Sequence, residues 1–190
     1  MAKAQIDLTN TAKAVDKYGN EVLKRAKRNL KIKKKIGGKW RITDNTGKLG
    51  KSLRYRVKAQ GNSVSLSFTS SVEYASYIEQ GVKGSGNIER FKSPYKFKSK
   101  NLPKGVVEGW IKSKKVKLRD KDGKFIPMTK SNIRGAAYVI GRSIAEKGIR
   151  PREYMQDAIM ETKNKFSKEL VKGVALDFIN GLKQEIDGNN

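Results

Sequence analysis

The chain has 190 residues, 36% of them hydrophobic, with a formal net charge of +25 and neither cysteine nor histidine. That length supports one globular domain with a core, while the missing residue types exclude disulfides, thiolate metal sites and histidine-based acid–base catalysis. A charge so far above the roughly 2 to 8 that solubility needs points to polyanions or acidic protein surfaces as partners.

The charge is unevenly spread. From Ile149 onward seven basic residues meet seven acidic ones, so the whole excess lies in residues 1–148. There is no apolar run long enough to span a bilayer and no signal-peptide core. No membrane partner is expected, and the compartment of synthesis is expected to be cytosol-like.

In chain order, Ala12, Val15, Val22, Ala26 and Leu30 recur at helical intervals and predict an amphipathic helix over 11–35, with Gly19 as a modest interruption. Its outer face carries Lys13, Lys17, Lys24, Arg25, Lys27, Arg28 and Lys31, and the positive run continues through Lys33-Lys34-Lys35. Gly37-Gly38 breaks the helix, and Trp40-Arg41-Ile42-Thr43 reads as a third strand, with Trp40 expected in a core in preference to stacking a base.

The most legible stretch runs from Gly47 to Gly81. Leu53-Arg54-Tyr55-Arg56-Val57-Lys58-Ala59 alternates apolar and basic, and Val64-Ser65-Leu66-Ser67-Phe68 alternates again across the turn Gln60-Gly61-Asn62-Ser63. Period-two patterning across a turn predicts an antiparallel hairpin. One face carries Leu53, Tyr55, Val57, Val64, Leu66 and Phe68; the other carries Arg54, Arg56 and Lys58. Ser71–Gly81 follows as a short helix with serine at its cap and glycine at its end. Its spacing sets Tyr74, Tyr77 and Ile78 on one face, where they are expected to cover the apolar side of the hairpin.

Here the sequence resembles the neck proteins of tailed bacteriophages, the tail-completion or head-tail joining proteins. The resemblance rests on Thr46-Gly47-x-Leu49-x-x-Ser52-Leu53, on the basic strand and its partner, and on Tyr74-Ala75-x-Tyr77-Ile78-Glu79-x-Gly81. Ile149-Arg150-Pro151-Arg152-Glu153-Tyr154 echoes the family's later proline segment before a final helix. The order of elements agrees over roughly the whole chain. Two features depart from the pattern: Leu49-Gly50 stands where a Leu-Arg pair is usual, and a long basic insertion separates Gly81 from Arg150. The resemblance implies a structural virion protein forming a homo-oligomeric ring in the neck, with portal-side adaptor and tail proteins as partners and packaged DNA nearby. It implies assembly in the host cytoplasm. It leaves open the ring number and the choice between head-side adaptor, tail-completion and tail-terminator roles.

Beyond Gly81, Gly84-Ser85-Gly86-Asn87 lacks the remainder of a phosphate-binding motif and reads as a flexible loop. Arg90 to Lys130 holds fourteen lysines and arginines, interleaved with Phe91, Tyr95, Phe97, Trp110 and Phe125. That composition suits a nucleic-acid groove or an arm docking on a neighbouring subunit. Within it, Lys104–Lys114 predicts a short helix burying Val106, Val107, Trp110 and Ile111, and Val116–Ile126 a small hairpin across Asp120-Lys121-Asp122-Gly123. Ser131 is expected to cap a helix to Lys147, with Ile133, Ala136, Ala137, Ile140 and Ile144 inward. From Arg152 to Ile186 a stripe of Met155, Ile159, Phe166, Leu170, Val174, Phe178 and Leu182 predicts one helix of roughly 50 Å or two broken near Gly173.

The expected fold is α+β: a small antiparallel sheet packed against helices, with a basic insertion and a long C-terminal helix. It is read as one domain over 1–190, divided into helix 11–35, sheet and short helix 40–81, basic insertion 82–130 and helices 131–187. No catalytic residue, metal site, cofactor or small-molecule substrate is expected, because sparse carboxylates form no convergent motif. The candidate contacts for DNA or an acidic partner are Arg54, Arg56 and Lys58 on the hairpin and Lys96, Lys98 and Lys100, which repeat the alternate spacing in the insertion. The family-motif core is expected at Tyr74, Tyr77, Ile78, Glu79 and Gly81. The alternative function is a free-standing basic DNA- or RNA-binding protein.

Overall fold

In the computed structural model the described residues are 7–32, 34–36, 39–41, 43–44, 46–86, 91–102 and 105–187, with the side chains of 34–36, 39–41 and 187 outside the description. Where one domain is expected, the chain divides into two compact units, Met1–Ala75 with Glu153–Asn190, and Ser76–Arg152. The architecture is α+β. Among the described residues no helix is long and apolar enough to cross a membrane.

The first unit is built on helix α1 (Thr9–Lys31), whose buried positions include Ala14, Val15, Gly19, Val22, Ala26 and Leu30. α1 ends four residues before the expected Lys35. Lys34–Ile36 instead forms strand β1, which pairs antiparallel with β2 (Lys39–Arg41) as a separate two-stranded sheet. Trp40 therefore sits on a small hairpin of its own and not on a third strand of the main sheet. The expected core packing of Trp40 and the charges of Lys33–Lys35 lie outside the described side chains, and the break at Gly37-Gly38 lies outside the described residues.

A short helix α2 (Lys48–Ser52) leads into β3 (Leu53–Gln60), which pairs with β4 (Ser63–Ser70). The motif residues of this approach are structural. Leu49 and Leu53 are 2% exposed, and the Ser52 hydroxyl donates to the Leu49 carbonyl while sharing a hydrogen bond with Ser70. Gly50, the departure from the family pattern, donates its N–H to Asp44 Oδ2 at 2.6 Å. The register sets Tyr55 opposite Phe68 and Val57 opposite Leu66, the pairing that period-two alternation predicts. Gly61, with φ of +56°, opens the two-residue turn, as tight hairpins require.

α1 packs on the apolar face of this hairpin. The approach is close: a Cβ on Gly19 would stand 2.6 Å from Tyr55 Cδ2 and 2.9 Å from Leu66 Cδ1. Gly19 is thus a contact surface, where its spacing had suggested a simple helix interruption. The Tyr55 hydroxyl donates to Asp16 Oδ1 on α1 at 3.0 Å. Burial, that hydrogen bond and the Asp16 charge push the phenol pKa up. The place expected for Tyr74, Tyr77 and Ile78 is therefore taken by α1. Leu66, half-buried against Gly19, remains a core position, and Leu66→Ala is expected to cost about 2 kcal/mol, the lower end for large-to-small core changes. Chemical denaturation of the variant measures it, and an unchanged midpoint would mean that the hairpin face carries no core.

Helix α6 (Tyr154–Asp187) completes the unit as a single 34-residue helix, unbroken at Gly173. Of the apolar stripe in the sequence, Met155, Ile159, Phe166 and Leu170 are half-buried, and the later members are not. The buried positions are Tyr154, Ala158, Thr162, Gly173 and Asp177, whereas Val174, Phe178 and Leu182 are 48, 55 and 45% exposed. Small residues win the seam with α1 because they let the helix backbones approach. A Cβ on Gly173 would stand 3.0 Å from the Asn10 carbonyl oxygen. Along the same seam Tyr18 stacks on Phe166 at 3.8 Å, Asn29 donates to the Tyr154 carbonyl, and Arg25 pairs with Glu161 at 3.2 Å. Asp177, 2% exposed, caps α1 from across the seam: its Oδ1 accepts from Asn10 N and Nδ2, and its Oδ2 from Thr11 N. A helix N-terminus leaves these N–H groups unpaired and attracts negative charge.

The second unit begins in helix α3 (Ala75–Gln80), shorter than the expected Ser71–Gly81. It also holds α4 (Val106–Ser113) and α5 (Lys130–Lys147). Its core is Val107, Ile111, Leu118, Ile133 and Ala137, with Leu102, Val116, Ile126, Ala136 and Ile140 against it. Trp110 and Val106 are 47 and 59% exposed and so leave the expected core of α4. Thr129, not Ser131, caps α5, its hydroxyl accepting from Asn132 N at 3.2 Å. Gly81, with φ of +72°, ends α3, and a Cβ there would stand 2.5 Å from the Ile149 carbonyl oxygen. This glycine seats the chain segment before Pro151.

The Gly84-Ser85-Gly86 loop is tied to the end of α5 and not loose. Ser85 N and Oγ both donate to the Ala145 carbonyl, and Gly86 N to that of Glu146; Asn87 lies outside the described residues. The small hairpin forms across Arg119 and Phe125. Asp120 Oδ1 accepts from the backbone of Asp122 and Lys124, which makes the loop carboxylate a turn element.

Candidate polyanion-facing surfaces

In the first unit the hairpin presents a polar face whose composition follows from the register. Arg54 lies opposite Thr69, Arg56 opposite Ser67 and Lys58 opposite Ser65. All six are exposed. Three cations project from one strand, because alternate side chains share a face, and hydroxyls line the other strand. Arg54 Nη1 donates to the carbonyls of Lys51 and Leu53, which fixes its guanidinium beside the strand. The Ser65 and Ser67 hydroxyls bond back to the carbonyls of Lys58 and Arg56. The surface offers donors and positive charge and no carboxylate within the strand pair, a chemistry suited to phosphate or carboxylate.

Between Ser76 and Arg152 the second unit carries twenty basic and six acidic residues. Lys96, Lys98 and Lys100 are exposed. The backbone beside Lys96 is held by Lys83, whose N–H donates to Tyr95 O and whose carbonyl accepts from Phe97 N. Tyr95 and Phe97 turn partly inward, Tyr95 meeting Tyr77 edge-on at 4.5 Å. The fold also brings one carboxylate, Glu146, within electrostatic reach of Lys100. Glu146 is held below the usual carboxylate range, first by its hydrogen bond from Arg142 and further by the charges of Lys100 and Lys147.

The motif residues fall in several environments. Tyr74 and Tyr77 are 40 and 45% exposed, Ile78 and Glu79 are half-buried, and Gly81 is buried. The two tyrosines are thus surface residues and not core ones.

Two features of the second unit escaped sequence reading. Arg134, Tyr138 and Arg142 line one side of a cleft of about 770 Å³, with Leu102, Val107 and Glu108 around it. Their recurrence at every fourth position, beginning at Lys130, was the available signal. The other is Phe125, 60% exposed, with the Arg119 guanidinium 4.0 Å and Lys117 Nζ 5.6 Å from its ring centre. Cations over an exposed aromatic ring are a cation–π arrangement that only the hairpin pairing could bring together.

No curated protein and no solved structure matches this chain. A family model does. Residues 1–81, which build α1, both hairpins, α2 and α3, match the family described as "Bacteriophage HK97-gp10, putative tail-component", and this fits the neck and tail-completion proteins that the same stretch resembles.

Proposed function

We propose that the chain is a structural virion protein of a tailed phage that forms a homo-oligomeric ring in the neck, joins the portal side of the head to the tail and lets DNA pass. The observation that carries this reading is the match of residues 1–81 to a phage tail-component family, over the part of the fold that holds the cationic hairpin face. Portal-side adaptor and tail proteins are its partners, and its place is the neck of the particle, after assembly in the host cytoplasm. At least one of the two basic rows, Arg54-Arg56-Lys58 or Lys96-Lys98-Lys100, faces packaged DNA or an acidic face of a neighbouring ring. Positive rows on water-exposed surfaces gain most when a polyanion lies opposite.

Replacing each triple by glutamine keeps length and polarity while removing three charges. Folding is expected to survive in both variants, since all six side chains are exposed. At least one variant is expected to impair head-tail joining or DNA retention in particles and to flatten the salt dependence of DNA binding by up to about three ions. Two variants that join, retain DNA and show the parental salt slope would reduce both rows to ordinary surface.

The alternative, a free-standing DNA- or RNA-binding protein, draws support from Phe125 beside Arg119 and Lys117, since exposed aromatics beside cations can stack bases. Tight duplex or single-strand binding by the isolated monomer, with no incorporation into particles, would favour it.

A further inference from the structure

Helix α1 carries a row of cations on the side opposite its core contacts. At about 100° per residue, Lys13, Lys17, Lys24, Arg28 and Lys31 fall within one arc of about 60°, and all five are exposed. The arc faces away from Val15, Val22 and Ala26, which are buried. From end to end the row runs for about 27 Å at about 1.5 Å per residue. Among the described residues none of the five enters an ion pair. Like charges one turn apart repel, and an opposing anion relieves that repulsion.

The acids of α1, Asp16 and Glu21, mark the borders of the row. Asp16 lies outside the arc toward the hairpin and accepts from the Tyr55 hydroxyl at 3.0 Å. Glu21 stands at the edge toward α6, where a groove brings Lys17 and Glu21 together with Lys165 and Glu169. Charges balance in that groove, so the positive surface ends there.

The chemistry of the row selects among anionic partners. Asn20 is the exposed side chain in line with the five cations, and the arc holds no apolar or aromatic group. Protein–protein interfaces centre on apolar and aromatic side chains and are poor in lysine, so an acidic protein finds little there to bury. Single strands are held by rings on which bases stack. The ring that α1 carries, Tyr18, faces the seam instead, stacked on Phe166 at 3.8 Å. Interfaces with duplex DNA are much more positive and rest on phosphate contacts from lysine and arginine.

We infer that the Lys13–Lys31 face of α1 is a docking surface for duplex DNA, held through phosphates without regard to sequence. It is distinct from the Arg54-Arg56-Lys58 row. α1 covers the apolar side of the β3–β4 hairpin, and that row projects from the other side. The inference requires neither a ring nor a place in the neck.

The test uses the full chain and a mixed-sequence duplex of about 24 base pairs, much longer than the row at about 3.4 Å per base pair. Fluorescence anisotropy follows binding over a salt series. One variant combines Lys13→Gln, Lys17→Gln, Lys24→Gln and Lys31→Gln. A control of equal charge combines Lys163→Gln, Lys168→Gln, Lys172→Gln and Lys183→Gln, all at exposed positions of α6. Glutamine keeps helix propensity, so parental helicity is expected in both and is checked first. At about 0.9 per phosphate contact, the α1 variant lowers the slope of log K against log salt by about 3 to 4 and weakens binding about tenfold or more, while the control moves the slope by less than about 1. Acetylation of the parent supplies a readout that needs no variant, and it decides the matter if the α1 variant loses helicity. Bound duplex shields Lys13, Lys17, Lys24 and Lys31 and leaves the four α6 lysines reactive. A parent that does not bind the duplex, equal losses in the two variants, or uniform shielding overturns the inference. Impaired particle assembly in the α1 variant with a parental DNA slope also overturns it, assigning the row to an acidic protein surface and leaving the neck reading in place.

Discussion

Asp177→Ala is expected to destabilise the first unit by about 3 kcal/mol. The carboxylate is 2% exposed and accepts three hydrogen bonds from the N-terminal turn of α1. Hydrogen bonds to a charged group contribute about 1.5 to 3 kcal/mol, and loss of a helix cap costs about 0.5 to 2 kcal/mol. These terms overlap, so the larger governs. The Asp7 carboxylate also serves this helix end, accepting from Thr9 N and Oγ1, but both residues are exposed, so it does not replace a buried cap. Asp177→Asn keeps an acceptor and loses the charge, and a smaller loss is expected.

The pH dependence follows from the same contacts. Burial pushes the Asp177 carboxyl up, but the hydrogen bonds from Thr11 and Asn10 outweigh it and leave its pKa below the ordinary value. A depressed carboxylate contributes stability above its unfolded pKa, about 3.9, and that stability is lost as pH falls through the folded value. The gap between the parent and Asp177→Asn is therefore expected to be full near neutrality and to narrow in acid. Denaturant titrations of both proteins over the acid range measure it. A gap that stays constant as pH falls would remove the ionised cap from the explanation.

Gly19→Leu is expected to cost about 3 kcal/mol, although glycine to leucine inside a helix normally gains up to about 1 kcal/mol from propensity. The sign reverses because the Cβ alone would enter the Tyr55 ring and Leu66. The ring cannot swing aside without giving up its bond to Asp16 and its packing beside Phe68. Overpacking of a fixed contact costs about 1 to 3 kcal/mol, and here the upper end applies, since α1 cannot move from the hairpin without disturbing its seam with α6. Thermal unfolding of Gly19→Leu reads the effect directly. A variant as stable as the parent would place α1 farther from the hairpin than the fold requires.

The sequence by itself determined the elements with a strong local code. The β3–β4 hairpin was legible because Leu53 to Phe68 alternates with period two around a glycine turn, and that alternation also put Arg54, Arg56 and Lys58 together on one face. The positions of α1, α4, α5 and α6 followed from helical spacing, although their ends shifted by a few residues. Tertiary structure decided which faces are buried. Hydrophobic spacing marks every apolar stripe alike, so it could not separate the inward seam of α6 from the exposed row at Val171–Ile186. It also could not reveal that Gly19 and Gly173 mark the closest approaches to α1, because glycine reads as weakness until a neighbour stands against it. Asp177 is the clearest case. Among the balanced charges of α6 it looks like solvent-facing surface, and only packing against an N-terminus 167 residues away in sequence makes it a buried cap. Glu146 beside Lys100, Phe125 beside Arg119, and α1 in the place expected for Tyr74 and Tyr77 have the same cause: long-range contacts carry no local pattern, and the burial they create exists only once the chain has folded.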